Sequence, residues 1–560
     1  MKKIFLYSVA MLASASMFSS CIGDLDTEPL AQTVVTADVA FAEPESYDQY
    51  VNYVYGYFSM VSQGDPGNSD IAVSDAGQSE YSRQYMVLNE LSTDALNCIW
   101  GDDYIDGIQY NSWIPENNAI KAVYLRGTKA VALCNQFLRS EVSGDDAVKG
   151  RGHGDRLDDI HAYRSELRVL RAWHNYVLMD LFGNPPVVKP ENVGSANYPK
   201  QMGRKALFEY IEQELLELVE DEYLPATPVA YPRVSKGTAW AILARMYLNA
   251  EVYTGEARWE EAKNAAEQVI TAGGYQLHDT YAELFMQDNT TNGAQNEFIL
   301  AAMYDAVSTP SWGGTTTLIN AAVNDPMRLP VSKYFGFSSD IYMNQWNGYI
   351  VSDDFVMKNF ELQGVDRSQG CGYDRAATDQ RALFFATTDT HLDGFNPEWS
   401  DFSGWSCIKW VPLDSNGRAA CIEVNIENSS ADFAFIRLAE MYLISAEAEA
   451  RLSGGTLTAS SNGYNRIKAL RERANGVGCY MPVSFDLDEI LKERVRELMW
   501  EGHRRTDLIR YGYFLSSNYP WPYKAGQADG RKAIDEHRAI YPLLQADLIA
   551  NKGLVQNPGY

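Results

Sequence analysis

Apolar residues return at helical spacing in separate blocks along this chain, with polar or glycine-rich stretches between them. From Ser165 to Phe182, Leu167, Leu170, Val177 and Leu181 fall on one face of a predicted helix. Gly183-Asn184-Pro185-Pro186 then stops it, because proline can neither donate the next backbone hydrogen bond nor fit the helical interior. Val234 to Ala250 and Trp259 to Ile270 predict a helix pair around Gly255. Ala431 to Arg451 and Tyr464 to Ala474 predict another, and Leu487 to Tyr511 reads as one long charged helix.

Two of these blocks carry one local pattern. Trp240-x-x-Leu243-Ala244-x-x-Tyr247 and Phe435-x-x-Leu438-Ala439-x-x-Tyr442 follow the aromatic-x-x-Leu-small-x-x-Tyr arrangement of a tetratricopeptide first helix. The small residue admits a partner helix closely, and the aromatic rings fill the gaps beside it. The copies are far apart, so the helix pairs are expected to assemble in space around long insertions. The segment from Gly293 to Ser430 breaks the pattern, being rich in Gly, Ser, Asp, Asn and aromatics with little helical period. Long loops of this kind usually carry function. The predicted fold class is mostly α, a tetratricopeptide-like helical-pair scaffold with a loop-rich ligand-binding face.

The first residues predict where the chain works. Lys2 and Lys3 precede an apolar run from Ile4 to Ala15, which ends in Phe18-Ser19-Ser20-Cys21. That run is shorter than the roughly 20 residues needed to span a bilayer. It fits a bacterial lipoprotein leader of residues 1–20, cut ahead of Cys21. Acyl chains on Cys21 would then hold the chain on a membrane without a transmembrane helix. Residues 21–36 read as a lipidated tether, because Gly23-Asp24-Leu25-Asp26-Thr27-Glu28-Pro29 is polar and irregular. Residues 37–560 read as a single domain, with a loop-rich insertion at about 293–430.

Composition narrows the ligand class. A net charge of −27 disfavours nucleic acid, which needs clustered Lys and Arg. Aromatics make up 12% of 560 residues, more than a helical core requires, and their faces suit the C–H face of a sugar ring. The cysteines beyond the leader, Cys98, Cys134, Cys371, Cys407, Cys421 and Cys479, show no CxxC spacing for zinc or thiol redox chemistry. Their pairing is left open.

Enzyme chemistry has one candidate. Glu501-Gly-His503-Arg504-Arg505-Thr-Asp507, preceded by Glu493, Arg494, Arg496 and Glu497, could supply an acid, a base and an anion clamp. The same spacing also describes an ion-pair network on a helix, which is the reading adopted. His174 lies on the apolar phase of its helix and reads as a core histidine. Asp288-Asn-Thr-Thr-Asn-Gly293 has too few carboxylates for a calcium loop, and no HExxH, Walker A or GxSxG pattern is present. No cofactor, catalytic residue or metal ligand is assigned.

Several segments in order resemble the SusD-like (RagB/SusD) family of outer-membrane nutrient-uptake lipoproteins. They are Cys21-Ile-Gly-Asp-Leu-Asp-Thr-Glu-Pro29, Glu166-Leu-Arg-Val-Leu-Arg-Ala172 with Asp180-Leu-Phe-Gly183, and Ala244-Arg-Met-Tyr-Leu248. Arg437-Leu-Ala-Glu-Met-Tyr-Leu443, Glu501-Gly-His-Arg-Arg-Thr-Asp-Leu-Ile-Arg510 and Gln556-Asn-Pro-Gly-Tyr560 complete the set. The resemblance implies a surface-exposed, lipid-anchored protein of the outer membrane that binds glycan, cleaves nothing, and delivers the glycan to a SusC-like TonB-dependent transporter. Asn89-Glu-Leu-Ser-Thr-Asp94 and Tyr247-Leu-Asn-Ala-Glu-Val-Tyr-Thr-Gly255 are most similar to the starch-binding founding member.

That likeness implies a ligand site. Asp75 and Arg83 stand at matching distances ahead of Leu91-Ser-Thr-Asp94. Trp312, before Gly313-Gly314, matches a stacking tyrosine, Trp346 matches a stacking tryptophan, and Asp103 stands where the starch binder has an amide. Cys98 replaces another tryptophan, and Trp100, two residues on, is taken as its substitute. The lead ligand is an α-glucan such as starch, with fructan, another polysaccharide or peptide as alternatives. A surface glycoside hydrolase and a protein-binding helical scaffold are the competing functions.

Overall fold

The computed structural model describes residues 36–62, 67–73, 75–195, 197–322, 335–337, 346–360, 379–385, 404–418 and 428–560. The leader, Cys21, the tether up to residue 35, Cys371 and Cys421 lie outside the described residues.

Helices dominate, and they pack as a series. Asn118–Leu138 lies against Leu157–Phe182, which lies against Arg204–Glu220; Lys236–Leu248, Trp259–Ala272, Leu438–Leu452 and Asn462–Asn475 then follow, each on the one before. The step from Trp259–Ala272 to Leu438–Leu452 crosses more than 160 residues of sequence. Ala244 and Ala439 are fully buried, as the small position of the repeat pattern requires. The fold is mostly α, with paired helices as the scaffold.

The Leu157–Phe182 helix is more central than a one-faced period implies. From Val169 to Phe182 every side chain is buried, so its polar groups need partners. Arg171 donates to Asn135 Oδ1 at 2.6 Å and pairs with Glu214. Asp180 accepts from Tyr253 Oη at 2.8 Å and Thr506 Oγ1 at 3.0 Å. His174 stacks on Phe58 with ring centroids 4.8 Å apart, and burial pushes its pKa down to about 3. It is a neutral core histidine.

Two sequence expectations give way to tertiary contacts. Phe435 was expected on a helix that starts at Ala431, but Phe433–Arg437 is a strand and the helix begins at Leu438. The aromatic and β-branched run Phe433-Ala434-Phe435-Ile436 suits a strand. Phe298–Ala302 provides its antiparallel partner, with Phe298 opposite Arg437 and Ala302 opposite Phe433. In the other copy of the pattern, Trp240 is only half-buried.

The expected single helix from Leu487 to Tyr511 is two, Leu487–Leu498 and Arg504–Arg510. Between them Trp500 and Gly502 adopt φ of 62° and 81°. Trp500 is buried, with its indole N–H donating to the Ala95 carbonyl at 2.9 Å. Glu90 Oε1 accepts from the Gly502 and His503 amides at 2.9 and 3.0 Å. A Cβ at Gly502 would lie 2.3 Å from the Tyr85 ring, so the close approach needs glycine as well as the left-handed backbone.

Candidate aromatic ligand site

The candidate site forms where the N-terminal third of the chain meets the loop-rich segment. Asn97–Cys98 pairs antiparallel with Tyr349–Ile350, and the Ile99 amide extends the ladder to the Gly348 carbonyl at 3.0 Å. This short pairing brings Trp100 beside Asn347 and Gly348. The Trp100 indole N–H donates to the Asn347 carbonyl, and a Cβ on Gly348 would fall 2.2 Å from the indole ring. Cys98 itself is buried and takes no part in the surface.

Trp346 lies two residues before Gly348, and its amide donates to the Asn320 carbonyl at 2.8 Å. Its side chain is 36% exposed, high for a tryptophan. Trp312 is half-buried beside it, with ring centroids 6.2 Å apart and planes inclined at 38°. The two indoles therefore form a bent rather than a flat apolar surface. Trp312 is backed closely by Gly77, where a Cβ would approach the Trp312 Cβ to 2.8 Å.

The polar candidates divide by exposure. Arg83, on the Tyr81–Glu90 helix, is only 7% exposed, and its guanidinium reaches the Trp312 carbonyl and Tyr104 Oη at 3.4 Å each. Burial disfavours the Arg83 cation, but Tyr104, Tyr349 and Asp75 outweigh that and hold its pKa above the usual range. Arg83 thus supports the platform from beneath. Asp75 is exposed and accepts from the Gln78 amide at 2.9 Å. Asp103 is also exposed and accepts from Asn118 Nδ2 at 3.0 and 3.3 Å. Gln78 and Asp102, joined at 3.0 Å, were not singled out from the sequence. They lie between the chosen residues with no aromatic or glycine signal of their own.

The Glu501–Asp507 cluster has a different character. Arg437 contacts Glu297 at 2.8 Å, Glu497 at 2.6 Å and Glu501 at 2.6 Å, all of them buried. Arg381 adds Glu493 and Glu497 at 2.7 and 3.0 Å, and Lys409 adds Glu501 at 2.6 Å. Arg504 grips Asp94 with two bonds of 2.8 and 2.9 Å. Burial, together with Arg245, Arg494 and Arg437, holds the His503 pKa well below its usual value. These side chains are engaged with one another and sealed from solvent. Asp288 accepts from the Ser415 amide and hydroxyl at 2.9 and 2.6 Å, which is a loop tie. Among the described residues, no group of His, Cys, Asp and Glu could hold a metal ion, and no helix is long and apolar enough to cross a membrane.

Known proteins are similar to this chain in sequence and in architecture. The profile of the SusD family matches residues 369–560. The chain is 30% identical to the starch-binding protein SusD of Bacteroides thetaiotaomicron, over 99% of this chain and 98% of that protein. A SusD-like protein from Bacteroides fragilis superposes with a TM-score of 0.65 at 17% identity, covering 95% of this chain and all of that one. Surface glycan-binding protein A from Bacteroides thetaiotaomicron, in complex with laminarihexaose, superposes with a TM-score of 0.61 at 19% identity. That match covers 92% of this chain and 99% of the other.

Proposed function

The chain belongs to the SusD family, and from that premise we propose that it is a cell-surface glycan-binding lipoprotein with Trp312 and Trp346 at the centre of its ligand site. The observation that carries the reading is the inclined pair of indoles, one of them well exposed. An apolar face open to water gains by covering a sugar's C–H face, and flanking polar groups compensate the hydroxyls for lost water. Trp100 extends the apolar surface, and Asp75 and Asp103 supply exposed acceptors. Arg83 holds the platform and keeps the local charge from becoming wholly acidic. Ligand is bound and not cleaved in this reading.

The lead ligand is an α-glucan, supported by the full-length likeness to the starch-binding protein; the resemblance implies Asp75, Arg83, Trp312 and Trp346 as its contacts. A β-glucan is the second reading, favoured by the laminarihexaose complex of a protein with the same fold. A surface inclined by 38° suits a chain that curves from one sugar to the next, which both readings share. Electrophoresis through gels containing starch, laminarin or fructan separates them. Retardation by starch alone supports the lead, and retardation by laminarin alone replaces it. Release of reducing sugar on long incubation would overturn binding without cleavage.

Lipidation of Cys21 would place the domain, residues 37–560, at the outer-membrane surface, where it would pass glycan to a SusC-like TonB-dependent transporter. A Cys21→Ala protein should then leave the membrane fraction. Its persistence there through carbonate washing would remove the lipoprotein reading. Co-purification of the wild type with a large outer-membrane barrel protein tests the transporter partnership.

A further inference from the structure

We propose that Glu80 is a positioning residue for the aromatic platform, its single buried carboxylate joining the starts of two helices and so fixing where Trp312 stands. Glu80 is the N-cap of Tyr81–Glu90, accepting from the Ser82 amide at 3.1 Å and the Arg83 amide at 2.6 Å. The same carboxylate accepts at 2.9 Å from the amide of Gly314, the first residue of the Gly314–Ala321 helix. Tyr304 Oη donates to it at 2.6 Å, and the Ser82 hydroxyl lies 3.1 Å from each oxygen. Two helix N-termini, each with amides that its own helix leaves without a partner and a positive dipole end, therefore converge on one carboxyl group.

The surroundings leave this junction no slack. Glu80 is fully buried. A Cβ on Gly313 would fall 2.4 Å from the Glu80 Cβ, and one on Gly314, at φ +48°, would fall 2.1 Å from Tyr304 Oη. Gly313-Gly314 follows Trp312 directly, so the carboxylate fixes the backbone two residues from the indole. The Trp312 carbonyl is held from the same helix by Arg83 at 3.4 Å, and by Thr317 Oγ1 at 3.0 Å. Glu80 touches no ligand surface itself. Burial raises its pKa, and the bonds from Tyr304, Arg83 and Ser82 oppose that rise, which is the signature of a carboxylate engaged on every side.

This inference rests on the glycan reading only for its ligand readout, because the indole pair has a signal of its own. The circular-dichroism band of the coupled Trp312 and Trp346 indoles is the difference between wild type and Trp312→Ala. Glu80→Gln is expected to lose at least half of that band and to bind maltoheptaose or laminarihexaose about tenfold or more weakly, both measured well below its melting temperature. Glu90→Gln is the control: it disturbs a buried carboxylate at the other end of the same helix, which caps the Gly502 and His503 amides. It should lower the melting temperature while leaving the band and the affinity as in wild type. A wild-type band in Glu80→Gln, or an equal loss in Glu90→Gln, overturns the proposal. If Glu80→Gln does not fold, Tyr304→Phe removes one donor and keeps the ring; a weakened band then supports the proposal and an unchanged one overturns it. If neither oligosaccharide binds wild type, the α- and β-glucan readings fall while the band still decides the role of Glu80.

Discussion

The surroundings of Arg437 and of Trp346 handle desolvation in opposite ways. Arg437 is 1% exposed, and three carboxylates meet its guanidinium within 2.8 Å, so the cost of burying each charge is offset by another charge already in place. Trp346 leaves over a third of its surface in water, and beside it Trp312 continues the apolar face. The first region is closed to a ligand, its charges buried against one another. The second gains by being covered. Residue type alone would rank the acid-, histidine- and arginine-rich helix as the more chemically active, and burial reverses the ranking.

Acidification should break this contrast most severely, because it reaches every buried pair together. Burial alone would raise the Glu447 and Asp379 carboxyls, but Arg510 and Arg451 beside Glu447, and Arg381 beside Asp379, hold both down to about 2. Their contribution is fully present above the unfolded values of about 4.5 and 4 and is lost as pH falls through that range towards 2. His174 adds to the same trend from about pH 6.5 downward, since the unfolded chain binds its proton and the core does not. Thermal melts from pH 7 to pH 2 should show a steepening loss below about 4.5. A flat profile would mean the network does not hold the fold.

Arg437→Met comes next, removing the cation that Glu297, Glu497 and Glu501 share and leaving Arg381, Arg473 and Lys409 to balance them. Removing one partner of a buried pair costs about 3 to 5 kcal/mol, and Arg437 serves several partners. Arg504→Ala, which takes the paired cation from Asp94 but leaves it the Tyr519 hydroxyl at 2.9 Å, should fall at the lower end of that range. Urea denaturation measures both, and any protein that remains folded should still bind glycan. A variant with wild-type stability and no binding would move the network into the ligand site.

The platform should respond in the other sense. Trp312→Ala and Trp346→Ala are each expected to lose about 2 kcal/mol of binding, roughly a factor of 30, with nearly unchanged melting temperature. Normal binding by both variants would remove the platform from the ligand site. Asp103→Asn should have the smallest effect, under about 1 kcal/mol, because its carboxylate is exposed and the amide retains an acceptor. A loss as large as that of Trp312→Ala would make Asp103 a central contact.

The helical scaffold was legible because burial writes a period into the sequence. Leu167, Leu170, Val177 and Leu181 mark their helix, and Ala244 and Ala439 mark where neighbours come close. The break at Met499 to His503 was not legible, because the charged period runs through it. What ends the helix is Glu90, some 400 residues away in sequence, accepting the Gly502 and His503 amides, with Trp500 turned into the core. Phe435 misled for a related reason: its spacing from Leu438 and Ala439 fits a helix, while the residues on either side of it, Ala434 and Ile436, pair with the strand Phe298–Ala302. In the candidate site, Trp312 and Trp346 could be named from resemblance, but Glu80 could not. An acid ahead of a tyrosine-rich helix carries no mark until Gly314 and Tyr304 are seen to meet it.

The sequence by itself determined the family, the mostly α class, the helical blocks and the aromatic residues to suspect, because these depend on local spacing and on side-chain chemistry carried in order along the chain. Only the tertiary structure decided which charges are sealed and which aromatics are open, where the last long helix breaks, and how Asn97–Cys98 and Tyr349–Ile350 bring Trp100 towards Trp346. Those outcomes depend on contacts between residues separated by hundreds of positions. Burial and partner geometry are properties of the packed chain, and no local pattern encodes them.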